Sequence, residues 1–142
     1  MDIEINDYEI LDRANQFRDA ADILKQSNKL IPTELNACLA CELYLKYLVN
    51  FEKNGIHTKT KKQLVAGHDL KELYDKCDDS IKIQIKEKMD DDFETHLEKV
   101  KLNFAVIRYD YEHKRVIYSP TFMIRFMKIL SEICYCRQNH YM

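Results

Sequence analysis

The sequence contains few of the residues that interrupt regular secondary structure. Its 142 residues include two glycines, two prolines and no tryptophan. β-Sandwiches and β-barrels turn about every 8–12 residues and use Gly and Pro in those turns, so the composition argues against an all-β fold. Two glycines are also too few for the glycine-rich loops that hold nucleotide phosphates in GxGxxG and Walker motifs. Nucleotide-binding α/β folds of that kind are therefore excluded.

Long hydrophobic runs are absent as well. No apolar stretch approaches the roughly 18 residues that cross a membrane. The N-terminal sequence MDIEINDYEI is acidic, whereas a signal peptide begins with basic residues and continues with an apolar segment. We therefore expect a cytoplasmic protein with no membrane segment.

The five cysteines lie mostly within apolar helical patterns, which is typical of buried thiols in a reducing compartment. Cys38 and Cys41 form a CxxC pair, and Cys134 and Cys136 form a CxC pair. Because helical positions two apart diverge by about 200°, Cys134 and Cys136 cannot share one tetrahedral zinc site on a regular helix. We expect structural thiols, with no metal and no cofactor.

The charges are distributed unevenly, although the net charge is only −2. Residues 1–24 contain seven acids and two arginines, whereas residues 53–68 contain four lysines and no acid. Residues 108–128 contain five basic and two acidic residues. A polyanion would meet the two basic segments first, and the candidate nucleic-acid contacts within them are Lys59, Lys61, Lys62, Lys114 and Arg115. The alternative is that these are solvated loop charges.

Apolar residues recur at helical spacing along most of the chain. The segment from Pro32 to about Lys53 is apolar on nearly every face, which is typical of a central helix. Asn54-Gly55 is a common helix-stop pair, and we interpret residues 55–67 as an irregular, mobile loop. The other predicted helices are Asp7–Ser27, a short helix opening at Gly67-His68-Asp69, residues 80–89, a long helix from Asp90–Asp92 to Ile107, and a last helix from Ser119-Pro120 to Gln138. The sequence predicts one all-α domain over residues 1–142, a bundle of four to five helices.

Two groups of polar residues interrupt this pattern. Glu42 and Lys46 lie in the middle of the most apolar helix, at the i,i+4 spacing that lets them pair, and Asn50 follows on the same face. Charges within a core helix are costly unless they are paired. This line of three residues indicates either a polar cleft or an edge of the helix that faces water.

The second group is Arg108 and His113. A guanidinium suits phosphate oxygens, and an imidazole both accepts and donates protons near neutral pH. Together they suffice for metal-free RNA cleavage. On a regular helix the two residues would lie about 140° apart, so convergence needs a broken helix or a facing protomer. The alternative role for Arg108 is an ion pair with Glu112.

The whole chain resembles a HEPN domain, the higher-eukaryote and prokaryote nucleotide-binding helical bundle. The run ACLACELYLKYLVNF is similar to the core helix of that family, with its E-x3-K-x3-[N/D/E] line at Glu42, Lys46 and Asn50. AGHDLKELYDKC is similar to the short helix that follows a basic loop in the family. FAVIRYDYEH lies where the family has its R-x(4–6)-H motif, just before the last helix.

The resemblance implies an up-and-down bundle that forms a homodimer. In active members, two Arg-His motifs meet across the dimer cleft and cleave RNA without metal, typically in toxin–antitoxin or antiphage systems. Arg108 and His113 would then be catalytic, and Glu42, Lys46, Asn50 and Tyr109 would be supporting polar residues near the cleft.

Two other functions stay open at this point. A non-catalytic HEPN protein would bind a nucleotide, an RNA, or a nucleotidyltransferase or antitoxin partner. A regulatory or scaffold protein would use the basic segment of residues 53–68 as a protein-contact surface.

Overall fold

Helices dominate the part of the chain that the computed structural model describes, residues 4–108 and 117–140. Four two-residue strands accompany them, and the elements in chain order are β1 Ile5–Asn6, α1 Asp7–Gln26, α2 Leu30–Phe51, β2 Glu52–Lys53, β3 Ile56–His57, β4 Thr60–Lys61, α3 Leu70–Asp75, α4 Asp79–Lys88, α5 Phe93–Val100, α6 Asn103–Ile107 and α7 Pro120–His140. The predicted all-α class is therefore confirmed at the level of secondary structure. None of the described helices combines the length and hydrophobicity that a membrane span requires.

Helix α2 is the central element, as its apolar surface predicts. Tyr44, Leu45 and Leu48 have no exposed surface, and α1 and α7 both pack against this helix. The Tyr44 hydroxyl donates a hydrogen bond of 2.6 Å to the Asn15 side chain of α1. Arg18 of α1 in turn donates a hydrogen bond of 2.7 Å to Ser131 of α7. The three longest helices thus enclose one core.

The predicted helix stop at Asn54-Gly55 is wrong, because α2 ends before it, at Phe51. Asn54 and Gly55 have φ angles of 54° and 73° and connect the antiparallel strands β2 and β3. Two consecutive residues with positive φ are the signature of a type I′ hairpin turn, for which Asn-Gly is the preferred pair. The pair therefore forms a hairpin rather than a helix cap.

The segment of residues 55–67 is more regular than the predicted loop. It contains β3, and β4 pairs antiparallel with β1 beside the start of α1. The ring of His57 lies between two buried carboxylates, with Nδ1 at 2.8 Å from Glu52 and Nε2 at 2.6 Å from Asp7. This imidazole fixes the hairpin to the first turn of α1.

The predicted long helix after Asp92 is two helices, α5 and α6, with a break at Lys101 and Leu102. The helical spacing of apolar residues predicts Phe93, Leu97, Val100, Phe104 and Ile107 as the inward side chains; four are buried, and Phe104 is half-buried. Asn103 is also buried, and its side chain bonds to groups outside its own helix. The spacing of apolar residues carries no information about such a polar contact, so the helical pattern of the sequence continues across the break.

Substituting Gly55 tests the hairpin turn. A Cβ at this position would meet no atom within 4 Å, so Gly55→Ala changes only the backbone energy at φ +73°. We expect the free energy of unfolding to fall by about 1 kcal/mol, measured by urea denaturation. Glu87→Ala, on the exposed face of α4, is the control and should be neutral. Equal stability of the two variants would contradict the assigned turn.

Candidate functional site

The structure describes seven of the residues predicted to form a functional site. These are Glu42, Lys46, Asn50, Lys59, Lys61, Lys62 and Arg108. The predictions for Tyr109, His113, Lys114 and Arg115 fall on residues outside those that the structure describes, as does Glu112, the alternative partner of Arg108.

Glu42 and Lys46 form the predicted ion pair, with Nζ at 3.2 Å from Oε2. Their side chains are 6% and 12% exposed, so the interpretation of this face as a water-facing edge is wrong. A buried carboxylate needs hydrogen-bond donors to offset its lost hydration, and Lys46 supplies one of them.

The segment that precedes α3 covers this polar line. The side-chain oxygen of Asn50 accepts a hydrogen bond of 3.2 Å from the Val65 backbone N–H. Its amide donates back to the Lys46 carbonyl at 2.8 Å. Asn50 therefore holds the segment that leads to His68.

His68 is a member of the site that the predicted residue set lacks. Its Nδ1 lies 2.6 Å from Oε1 of Glu42, and its side chain is 54% exposed. Gly67, with φ +107°, and Asp69, which accepts a 3.0 Å hydrogen bond from the Glu72 N–H as the cap of α3, flank it. In the sequence, the position of His68 between a glycine and a helix-capping aspartate is the one indication that it has a special role. Its partner Glu42 lies 26 residues earlier, so the sequence does not indicate their contact.

Phe104 connects His68 to Arg108. The centroids of the His68 and Phe104 rings are 5.1 Å apart. The guanidinium carbon of Arg108 lies 4.7 Å from the Phe104 centroid, a distance typical of a cation–π contact. Arg108, which ends α6, is exposed, so its cation and the His68 imidazole share one aromatic neighbour at the surface.

Glu34 holds together the two elements on either side of residues 109–116. Its carboxylate accepts a hydrogen bond of 3.1 Å from the Asn103 amide of α6 and another from the backbone N–H of Ser119. The same amide donates to the Ile117 carbonyl at 2.7 Å. Glu34 has no exposed surface, and burial raises its pKa above the ordinary value, although these two hydrogen bonds act in the opposite direction. The start of α6 and the residue that precedes α7 are thereby fixed to α2.

The predicted lysines lie in β4 and on either side of it, where β4 pairs with β1. Lys59 and Lys62 are exposed, and Lys61 is half-buried. The backbone carbonyl of Lys59 accepts a 2.9 Å hydrogen bond from the Asp7 N–H, so the backbone is anchored to the start of α1.

A second basic surface was not predicted. An open groove of about 530 Å³ is lined by residues from α1, α4 and α7, and its basic members are Lys25, Lys88, Arg125 and Lys128. All four are exposed. Arg125 pairs with Asp90 at 2.9 Å. These residues come from three distant parts of the sequence, so they do not form a basic segment in the sequence and are brought together only by the fold.

Four of the five cysteines are buried, as predicted, and Cys136 is exposed. Burial raises the pKa of the Cys77 thiol to about 12, so this thiol is a poor nucleophile at neutral pH. Within residues 4–108 and 117–140, no three His, Cys, Asp or Glu side chains are arranged to hold a metal ion.

Comparisons with known proteins do not assign this chain to a family. No family model matches the chain, and neither a curated protein nor a solved structure matches it significantly. The resemblance to HEPN domains therefore stays a prediction.

The pKa of Glu34 predicts a pH-dependent stability. Because burial raises this pKa above 4.5 in the native state, the native state binds more protons than the unfolded state between the two values, and stability falls as pH rises through them. As pH rises from 4.5 through the raised pKa of Glu34, the wild type should lose unfolding free energy relative to Glu34→Gln. Urea denaturation at a series of pH values measures this difference.

Glu87→Gln is the control for the Glu34 experiment, because Glu87 is an exposed carboxylate on α4. Its difference from the wild type should not change with pH in this range. If the difference between Glu34→Gln and the wild type also stays constant with pH, burial does not raise the pKa of the Glu34 carboxyl.

Proposed function

We propose that this protein is a metal-independent endoribonuclease of the HEPN type, with the helices arranged as an up-and-down bundle and two copies joined as a homodimer. The observation that carries the proposal is the position of Arg108. Its guanidinium is at the surface, held on Phe104 at 4.7 Å, next to an imidazole-bearing segment and a buried ion pair. A forked cation in such a place suits the non-bridging oxygens of a phosphodiester.

The proposed reaction is transesterification within RNA. The 2′-oxygen of one nucleotide attacks the adjacent phosphorus while its proton passes to a base. The bond between phosphorus and the 5′-oxygen breaks, and that oxygen takes a proton from an acid. Arg108 stabilises the negative charge on the phosphate oxygens, and His113 takes part in proton transfer. The products are a 2′,3′-cyclic phosphate and a 5′-hydroxyl.

The polar residues of α2 support the site. Glu42 and Lys46 form an ion pair, and Asn50 binds the segment that precedes α3. Lys59, Lys61 and Lys62 would extend the contact along the RNA backbone, together with Lys114 and Arg115. In a cell, such a nuclease would act as a toxin or an antiphage component, restrained by an antitoxin or a nucleotidyltransferase partner.

The test is cleavage of single-stranded RNA by the purified protein in EDTA. We expect Arg108→Ala and His113→Ala each to lower the cleavage rate at least 100-fold, with the melting temperature unchanged. Arg13→Ala, at an exposed position of α1, is the matched control and should cleave at the wild-type rate. Cleavage that survives both site substitutions would refute the proposed mechanism.

A second candidate function is a non-catalytic binding module for RNA or a nucleotide. The groove lined by Lys25, Lys88 and Lys128 favours it, because a basic groove over an apolar floor can bind an anionic ligand without any proton-transfer group. Saturable binding without turnover would support this function.

The salt dependence of RNA binding separates the two surfaces. Each lysine that contacts a phosphate of single-stranded RNA contributes about 0.7 to the slope of log K against log salt. For the nuclease we expect the slope to decrease in the triple alanine variant of Lys59, Lys61 and Lys62. For the binding module we expect it to decrease instead in the triple alanine variant of Lys25, Lys88 and Lys128.

The control for both variants removes three lysines that are paired with neighbouring carboxylates. These are Lys76, Lys82 and Lys86, which lie 3.1–3.4 Å from Glu72, Asp79 and Glu94. This variant has the same net charge as the other two. If all three variants lose the same slope, RNA binding depends on net charge alone and neither surface is a specific site.

A further inference from the structure

The pair of Glu42 and His68 has the arrangement that proton transfer requires. Oε1 of Glu42 lies 2.6 Å from Nδ1 of His68, and Oε2 lies 3.2 Å from the Lys46 ammonium. Because a carboxylate accepts hydrogen bonds and does not donate them, Nδ1 carries the hydrogen of the neutral ring. The lone pair is therefore on Nε2, on the opposite side of the imidazole, where a base needs it.

The two side chains of the pair differ in solvent exposure. The Glu42 side chain is 6% exposed, whereas the His68 side chain is 54% exposed. A histidine whose only role is to satisfy a buried carboxylate has no need to present its other edge to solvent. Here the buried acid orients the ring, and the outer edge of the ring remains accessible.

The other two histidines with described side chains are arranged differently. Both ring nitrogens of His57 are occupied by carboxylates, at 2.8 and 2.6 Å. Nε2 of His96 lies 3.1 Å from the Ser119 hydroxyl, and its ring stacks on Phe122 at 3.9 Å. Of these three imidazoles, His68 alone has an Nε2 without a hydrogen bond to another described residue.

His68 is also close enough to Arg108 to act on the same phosphate. Both groups contact the Phe104 ring, at 5.1 and 4.7 Å from its centroid. The imidazole and the guanidinium can therefore be no farther apart than these two distances added together. A nucleotide whose 2′-hydroxyl donates a hydrogen bond of about 2.8 Å to Nε2 of His68, and whose adjacent phosphate accepts one from Arg108, fits within such a span.

We propose that His68 is a catalytic residue of the RNA-cleavage reaction and that Glu42 is its positioning residue; this rests on the proposed function. Nε2 of His68 takes the proton from the 2′-hydroxyl as the 2′-oxygen bonds to phosphorus. Arg108 stabilises the phosphate oxygens, the bond to the 5′-oxygen breaks, and that oxygen takes a proton from the general acid of the proposed reaction. The Glu42 carboxylate stabilises the imidazolium that forms.

The decisive variant is His68→Asn. The amide nitrogen of asparagine takes the place of Nδ1, so the hydrogen bond to Glu42 is kept while Nε2 is removed. We expect cleavage of single-stranded RNA in EDTA to fall at least 100-fold, with the melting temperature unchanged. His96→Gln is the matched control, because glutamine places an amide where Nε2 of His96 bonds to Ser119, and it should cleave normally.

The split between kcat and KM gives a second measurement, which a structural role would not produce. Glu42→Gln keeps an acceptor for Nδ1–H of His68 but removes the negative charge that stabilises the imidazolium formed in the reaction. Because that charge is needed only in the transition state, we expect kcat and kcat/KM to fall by the same factor while KM stays unchanged.

The outcomes separate this inference from the proposed function. If Arg108→Ala and His113→Ala abolish cleavage while His68→Asn keeps the full rate, His68 is structural and the inference is overturned, whereas the proposed function stands. An unchanged kcat in Glu42→Gln would overturn the positioning role. If the wild type does not cleave RNA at all, the proposed function fails and the inference fails with it.

Discussion

The requirement that a buried carboxylate be matched by donors organises this molecule. Three buried acids occur along α2 and directly after it: Glu34, Glu42 and Glu52. Each binds a segment that is distant in sequence or outside the helix, namely the start of α7, the loop before α3 and the β2–β3 hairpin. Any rotation of α2 that removed Glu34 or Glu42 from its donors would leave a buried charge without hydrogen bonds, so these acids favour the observed packing.

The helices themselves were predictable because their signals are local. Leu11 and Ala14 of α1 are buried at the spacing expected from the sequence, and Pro120 opens α7 as predicted. The pairing of Glu42 with Lys46 was predictable for the same reason, since both partners lie one turn apart on one helix. Local periodicity and local charge therefore gave most of the secondary structure and one contact of the site.

The remaining features depend on contacts between residues far apart in sequence. Glu42 bonds to His68, and Asn103 bonds to Glu34. The sequence spacing of neither pair indicates a contact. In the helical pattern, Asn103 is indistinguishable from a solvent-exposed polar residue. The Asn54-Gly55 pair is ambiguous for a different reason, because Asn-Gly is typical both of helix ends and of hairpin turns. The pairing of Glu52 with His57 shows that this pair forms a hairpin turn.

The Glu34 carboxylate makes the packing of two separate segments depend on one side chain. Asn103 and Ser119 both donate to it, and the Asn103 amide also donates to the Ile117 carbonyl. Loss of this acceptor would leave donors on both segments without their partner inside the protein. A single substitution at Glu34 would therefore loosen α6 and the residues that lead into α7 together, so that the stabilities of the two segments are coupled.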